Sequence, residues 1–110
     1  IPILRARSLG FNNNVVVLTR NKGHRKPPSR MDKLPHFIYK EYRELRETIE
    51  NRGKLYNEQL DLVENLEDKG EIVVIRPENP IQVDRIERNI QKLKDLYEEG
   101  YECAKKVRFE

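Results

Sequence analysis

Two short runs of apolar residues interrupt a chain that is otherwise polar. They cover residues 15–18 and 72–75, read VVVL and IVVI, and consist mostly of β-branched residues. A strand with one face in water alternates apolar and polar residues, whereas a continuous β-branched run is typical of a strand covered on both faces. The sequence therefore predicts two buried strands. Neither run approaches the length of a membrane-spanning helix.

In three other regions, apolar residues recur every three or four positions, which is the spacing of one helix face. The first helix ends at Gly10, since glycine is common just past a helix end. Two middle helices, from His36 onward, are separated by a break at residues 51–53, and the second ends at Gly70. The apolar positions of these helices are Ile3, Ala6 and Leu9; Ile38, Tyr42, Leu45 and Ile49; and Tyr56, Leu60 and Val63.

A last helix follows the second strand. Asn89 is a favourable N-cap residue, so the main part of this helix begins there and residues 84–88 form a separate turn. Residues 21–35 hold three of the six prolines, which is the composition of a loop. The apolar positions of the last helix are Ile86, Ile90, Leu93, Tyr97, Tyr101 and Ala104.

The predicted fold class is α/β, with a small two-stranded parallel sheet flanked by helices in the order α-β-α-α-β-α. Parallel pairing follows from the long helical crossover between the strands. Two parallel strands alone leave both outer edges unpaired. Because of these edges, and because the chain begins at Ile1 rather than Met, we expect it to be part of a longer protein. The same edges predict a homo-oligomer formed by strand pairing or exchange.

Composition adds one feature, a basic segment after the first strand. The chain has 22 Lys and Arg against 19 Asp and Glu, a net charge of +3. Arg20, Lys22, Arg25 and Lys26 follow the first strand, and Arg76 follows the second. Ligands of open α/β sheets bind at the carboxyl ends of the strands, so these five residues are candidates for contact with an anion or a lipid headgroup. The alternative is that they form caps and salt bridges.

Nucleic-acid binding is the alternative function for the basic segment, which offers several phosphate contacts. The sequence has no helix-turn-helix with a basic second helix, and no aromatic residues interleave with the basic ones for base stacking. We therefore expect no nucleic-acid partner. Contact with an anionic membrane surface is as reasonable, at about 1 kcal/mol per basic residue.

The sequence lacks the usual patterns of a catalytic, metal or nucleotide site. Ser8 and Ser29 do not lie in a G-x-S-x-G turn, and we expect the single cysteine, Cys103, to be an inert or half-buried thiol rather than a nucleophile. His24 and His36 lack clustered acidic partners for a metal ion. The glycines match no phosphate-binding loop. No catalytic residue and no cofactor is expected within this chain.

The first 28 residues, IPILRARSLGFNNNVVVLTRNKGHRKPP, resemble the end of the catalytic domain of bacterial patatin-like phospholipases. In that family the catalytic Asp lies in an Asp-Gly motif, which is followed by Ile-Pro-Ile and a helix that ends in Gly. A strand of the VVVLTR type then leads to a Lys/Arg-Gly-Tyr-Arg-Lys loop. In this chain His24 stands at the position where Tyr is common. The later segments NRGKLYNEQLDLVENLEDKG, IVVIRPENP and LYEEGYECA resemble the C-terminal extension of the same family.

The resemblance implies acyl-ester hydrolysis by a Ser/Asp dyad without a metal or organic cofactor. Neither dyad residue matches a position in this chain, so the chain itself is expected to be inactive. Residues 1–20 correspond to the end of the catalytic domain and its α/β hydrolase-type sheet, 21–35 to a basic connecting loop, and 36–110 to the extension, whose helices would cover the sheet. The implied partners are a phospholipid or other acyl ester, with contact to an anionic membrane. The single cysteine excludes an intrachain disulfide and favours a reducing, cytoplasmic location, which corresponds to the inner face of that membrane.

Overall fold

The computed structural model describes residues 1–108, and the side chains of all of these except Met31, Asp32 and Pro35. Helices and two strands follow one another in an order that confirms a mixed α/β fold. The elements are α1 (Ile3–Ser8), β1 (Asn14–Val17), a 3₁₀ helix (Arg30–Lys33), α2 (Pro35–Ile38), α3 (Arg43–Asp68), β2 (Ile72–Ile75) and α4 (Ile90–Lys105).

The chain divides into two compact units. One comprises Ile1 and Arg25–Leu62; the other comprises Pro2–His24 and the chain from Val63 onward. The second unit holds the sheet, α1, the end of α3 and α4. The first holds the 3₁₀ helix, α2 and most of α3. The predicted division at residues 20 and 35 stays a prediction, and residues 109 and 110 of the predicted extension lie outside the described residues.

The sheet of the second unit consists of β1 and β2 in parallel, as the sequence predicts. Asn14 pairs with Ile72 and Val17 with Ile75. Pairing continues one residue beyond β1, because the Leu18 N–H donates to the Ile75 carbonyl at 2.8 Å. The predicted strand at residues 15–18 is therefore confirmed with a shift of one residue, and the strand at Ile72–Ile75 is confirmed as predicted.

The prediction that both faces of the strand are covered is wrong for β1, although no residue of β2 is exposed. Val16 and Leu18 are buried, but Val15 is 49% and Val17 is 69% exposed. Side chains alternate between the two faces of a strand, so this pattern means that one face of β1 packs and the other is open. A run of four apolar residues indicates that both faces of the strand are apolar. In β1 the described residues cover only one of these faces.

The core of the second unit is small. Its buried side chains come from α1, β1, α3 and β2: Ile3, Val16, Leu18, Val63, Leu66 and Ile72. Gly10 and Gly70 follow α1 and α3 with φ of +88° and +71°, which confirms both as helix ends, since this backbone region favours glycine. Leu9, predicted on the buried face of α1, is exposed because the helix ends at Ser8.

The predicted helix break at residues 51–53 is wrong. α3 runs through these residues, and the interruption lies instead at residues 39–42, between α2 and α3. Gly53 is tolerated because a glycine inside a helix costs only about 1 kcal/mol relative to alanine. Asn51 donates from Nδ2 to the Glu47 carbonyl one turn earlier, at 2.9 Å, so its side chain bonds within the helix instead of breaking it.

The last helix begins as predicted but does not cover the sheet. Asn89 caps α4, with its Oδ1 accepting from the N–H groups of Gln91 at 3.0 Å and Lys92 at 3.3 Å. No described residue of α4 is buried. The predicted turn at residues 84–88 is present at Arg85 and Ile86, and Cys103 is half-buried as predicted. Across the described chain, no helix is both long enough and apolar enough to cross a membrane.

Replacing the glycine inside α3 tests its continuity. Gly53→Ala should raise the free energy of unfolding by about 0.5–1 kcal/mol, because alanine favours the helix. The added methyl group would stand 3.9 Å from Lys26 Cδ, an ordinary contact. Urea denaturation followed by circular dichroism measures the change.

Gly70→Ala is the matched control for this substitution. Its φ of +71° is strained for any residue with a Cβ, so we expect a loss of about 1 kcal/mol. Destabilisation by both substitutions would contradict a continuous helix at Gly53.

Candidate functional site

The candidate site lies where the strands of the second unit end. Arg76 directly follows β2, and Lys22 follows β1 after a short bend. Both side chains contact carboxylates on the last turns of α3, which precedes β2 in the chain. The geometry of the site is therefore set by a helix end and two strand ends.

Arg76 is the most enclosed charged group of the site. Its side chain is 9% exposed, and it pairs with Glu67 through Nη2 and lies 3.6 Å from Glu64 Oε1 through Nη1. A guanidinium suits this position because its fork can contact two carboxylates at once. Breaking one side of a poorly hydrated pair leaves an uncompensated charge, so these contacts contribute to the stability of the unit.

Lys22 completes the network from the side of β1. Its Nζ lies 2.8 Å from Asp68 Oδ1 and 3.6 Å from Glu67 Oε2. The neighbouring Gly23 N–H donates to Glu64 Oε1 at 2.9 Å, which fixes the backbone next to the lysine. Glu67 is thus shared between a cation from each strand end.

The charges of the site decide what it can bind. Three carboxylates face two cations in this network, so the strand ends carry no excess positive charge for an anionic ligand. The structure brings Lys22 and Arg76 together, as expected for the carboxyl ends of parallel strands, but each contacts α3. Their geometry is that of salt bridges, the alternative that the sequence left open.

Arg20 differs from the other predicted residues of this unit. It is exposed, and among the residues whose side chains the structure describes it has no hydrogen-bond or ion-pair partner. It therefore keeps a full positive charge in water just beyond β1. Of the predicted anion contacts in the second unit, Arg20 is the one whose charge is available.

One more ion pair, between Glu78 and Lys106, lies just beyond the end of β2. Lys106 Nζ lies 2.7 Å from Glu78 Oε1. The hydrogen bond and the positive charge of Lys106 lower the pKa of Glu78 below its ordinary 4.5, and Glu78 raises the pKa of Lys106 above 10.5. Both groups are solvent-exposed, so the pair fixes their charge states more than it stabilises the fold.

The first unit holds the other two predicted residues. Arg25 donates from Nε and Nη2 to Asp61 Oδ1, at 3.0 Å and 2.5 Å. Lys26 is fixed through its backbone, since its N–H donates to Asn57 Oδ1 at 2.8 Å and its carbonyl accepts from Asn57 Nδ2 at 2.9 Å. Only the backbone of Lys26 is held in this way. Among the described residues its ammonium group has no ion-pair partner.

The residues that sequence reasoning missed are the acidic partners on α3. Asp61, Glu64 and Asp68 recur at intervals of three and four, so they lie along one side of the helix. That spacing, together with a basic segment of similar length at residues 20–26, is a signal that the sequence does contain. Acidic residues on a helix are usually solvated, so the spacing alone does not identify them as ion-pair partners.

No other chemistry is assembled in the described part of the chain. Where the structure describes the side chains, no group of three His, Cys, Asp or Glu residues could hold a metal ion. His24 and His36 lie in different units. Ser8 donates its hydroxyl to the Arg5 carbonyl at 2.8 Å inside α1, where it has no base beside it. The geometry supports ion pairing at the strand ends and no catalytic centre within these residues.

The fold and the site define a small α/β chain whose parallel strands are tied to a helix by ion pairs. The chain belongs to the DUF6363 family, a domain of unknown function, whose model matches residues 42–107. The match contains α3, β2 and α4 and begins after β1. No curated protein and no solved structure matches the chain significantly.

Removing the central guanidinium tests the network. Arg76→Met should lower the free energy of unfolding by about 2–3 kcal/mol, because Glu64 and Glu67 then lose the guanidinium that they share at a poorly hydrated position. Chemical denaturation measures the difference. Arg20→Met, which removes an exposed arginine next to the other strand, should change stability by less than about 0.5 kcal/mol. Equal effects of the two substitutions would contradict a structural role for Arg76.

The Glu78–Lys106 pair makes a prediction about pH. A carboxylate whose pKa is lowered by folding stabilises the protein above pH 4.5, and this contribution is lost as the pH falls through its folded-state pKa. Lys106→Met should return the pKa of Glu78 towards 4.5, as followed by NMR titration of the side-chain carboxyl. Glu87 is the internal control, because its pKa is lowered mainly by the N–H of Asn89 and should not move. A pKa of Glu78 that stays low in the variant would show that Lys106 is not the cause.

Proposed function

We propose that this chain is the non-catalytic C-terminal region of a patatin-like lipid acyl hydrolase, in which it extends and supports the catalytic sheet. The single observation that carries the proposal is the open side of β1, which lies in the segment that resembles the end of the patatin-like catalytic domain. The chemistry of the parent protein would be ester hydrolysis by an upstream Ser/Asp dyad.

The open side of β1 has the properties of an unfinished sheet. Among the described strands β1 pairs with β2 alone, so its other edge has no strand beside it. Proteins that end a sheet at such an edge usually place lysine, proline or a bulge there to prevent pairing. β1 has neither lysine nor proline at this edge, and its uncovered face carries Val15 and Val17, which suit packing against a further part of the parent protein.

Other apolar side chains of the same unit support this interpretation. Leu4, Leu9 and Phe11 are each more than half exposed. They lie on α1 and on the segment that joins α1 to β1, and α1 contacts β1. In the proposed parent protein, this surface packs against the catalytic domain and holds the turn that bears the catalytic Asp.

The proposed contact with lipid headgroups depends on fewer residues than the sequence suggests. Lys22 and Arg76 in the second unit, and Arg25 in the first, contact carboxylates. Arg20 and the ammonium group of Lys26 have no such partner among the described residues. These two are the cations that would contact an anionic membrane or substrate. The same pairing removes most of the charge on which nucleic-acid binding would depend.

The proposal is tested in the longer protein that carries this chain. Its upstream sequence should contain a G-x-S-x-G turn and an Asp-Gly pair. Val17→Lys in that protein should lower ester hydrolysis at least about tenfold, because a lysine in the strand interior cannot be covered by a neighbouring domain without a large desolvation cost. Hydrolysis of a short-chain nitrophenyl ester measures the effect.

Phe37→Lys is the control, since Phe37 is equally exposed but lies on α2 in the first unit. It should leave hydrolysis unchanged. A parent protein without the serine motif, or one whose activity tolerates Val17→Lys, would contradict the proposal.

A further inference from the structure

The second unit contains a cleft that the proposed function does not use. It lies between α4 and residues 79–83, which follow β2 in the chain, and its volume is about 280 Å³. From the helix it is lined by Lys92, Asp95, Leu96 and Glu99. This volume is close to the lower end of the range for small-molecule sites and is several times that of one water molecule.

Part of the cleft lining is apolar. Ile81 and Val83 contribute to it from the chain segment and are half-buried, whereas Gln82 between them is exposed. Leu96 contributes from α4 and is half-buried as well. A lining of this kind suits a hydrocarbon group of a few carbon atoms, because binding removes apolar surface from water.

Glu99 is a carboxylate that lacks a hydrogen-bond donor at one of its oxygens. Its Oε1 is shielded from water, and no described residue donates a hydrogen bond to it. A carboxylate oxygen that has lost its water without gaining a donor is unfavourable, and a cation nearby compensates for this. Because Glu99 lines the cleft, a cation bound there lies beside this carboxylate.

The other charged groups of the lining do not neutralise Glu99. Asp95 lies one helical turn before it, on the same side of α4, and accepts at Oδ1 from the neutral amide of Gln91 at 2.8 Å. Lys92 Nζ lies 3.8 Å from Oε2 of Glu87, a residue outside the lining. The cleft therefore presents two carboxylates, and its one lysine contacts a third carboxylate elsewhere.

This combination of side chains favours a cation that carries a hydrocarbon group. Two carboxylates repel an anion. Hard metal ions such as Ca²⁺ take about six or more oxygen ligands, and the side chains that the structure describes include no group of three metal-ligating residues. An ammonium or guanidinium group requires only hydrogen-bond acceptors, and its bonds to carboxylates are charge-assisted.

We propose that the cleft binds a small organic cation, an alkylammonium or alkylguanidinium with a chain of about four carbon atoms. The cationic group lies beside Asp95 and Glu99, and the chain packs against Ile81, Val83 and Leu96. The whole cleft falls within the residues that the family model matches. The site is separate from β1 and does not depend on the proposed function.

NMR titration of the 110-residue chain with butylammonium chloride tests the site. We expect saturable shifts of the backbone amides at residues 79–83 and 92–99, with a dissociation constant on the order of 1 mM for so small a ligand. 1-Butanol, which has a similar shape without the charge, should bind at least about tenfold more weakly. Ethylammonium should also bind about tenfold more weakly, because it lacks two methylene groups.

Glu99→Gln keeps the shape of the side chain and removes its charge. It should weaken butylammonium binding about tenfold or more, without lowering the melting temperature of the free chain, since a shielded amide oxygen carries less charge. Asp95→Asn changes an exposed residue and should weaken binding about threefold.

Glu98→Gln is the matched control for these two variants. Glu98 is an exposed residue of the same helix and does not line the cleft. The substitution removes the same charge as Glu99→Gln, so it should change the dissociation constant by less than about twofold if binding depends on the cleft and not on the net charge of the chain.

Vesicles of phosphatidylethanolamine distinguish an ammonium group on a lipid from one on a free solute. Displacement of butylammonium by the vesicles assigns the cation to a lipid headgroup, and retention of butylammonium assigns it to a solute; both results support the site.

Three results overturn the proposal: no saturable shift at residues 79–83, equal binding of 1-butanol and butylammonium, or equal weakening by Glu98→Gln and Glu99→Gln. Saturable binding of Mg²⁺ at the same amides, without binding of butylammonium, also overturns it and assigns the carboxylates to a metal ion.

Discussion

The pairing of Glu67 with cations from both strand ends is the interaction on which the second unit depends. Parallel strands cannot be joined by a hairpin, so β1 and β2 meet only when distant parts of the chain are brought together. Glu67, on the last turn of α3, contacts Arg76 after β2 and Lys22 after β1. With only six described apolar side chains buried in this unit, the ionic contacts carry an unusual share of its specificity.

The positions of strands and helix ends in this fold can be predicted from the sequence, but the coverage of each strand face cannot. β-branched runs locate both strands within one residue, and Asn89, Gly10 and Gly70 mark helix ends, because strand propensity, capping and positive φ are local properties. The break expected at Gly53 is absent since a helix tolerates one glycine. Burial of both faces of β1 could not be predicted from its composition, because coverage depends on which other segments fold against it.

The candidate site shows the same limit in electrostatic terms. When only the basic residues of the sequence are considered, Lys22, Arg25 and Arg76 are predicted to form a positively charged site. Their carboxylate partners Asp61, Glu64, Glu67 and Asp68 are distant in sequence, and α3 brings them to these cations, as in the 2.8 Å contact between Lys22 and Asp68. A net charge of +3 is thus compatible with strand ends that have no positive excess. Counting charges without their partners overestimates the affinity for anions.

The position of β1 relative to the family boundary has a practical meaning. The DUF6363 model begins at Tyr42, whereas the strand that pairs with β2 ends at Val17. A protein trimmed to residues 42–107 would keep β2 and lose every backbone hydrogen bond that β2 makes to its neighbour. It would also lose Lys22, leaving Asp68 without its cation. The family match and the second compact unit are therefore different stretches of chain, and β2 belongs to both.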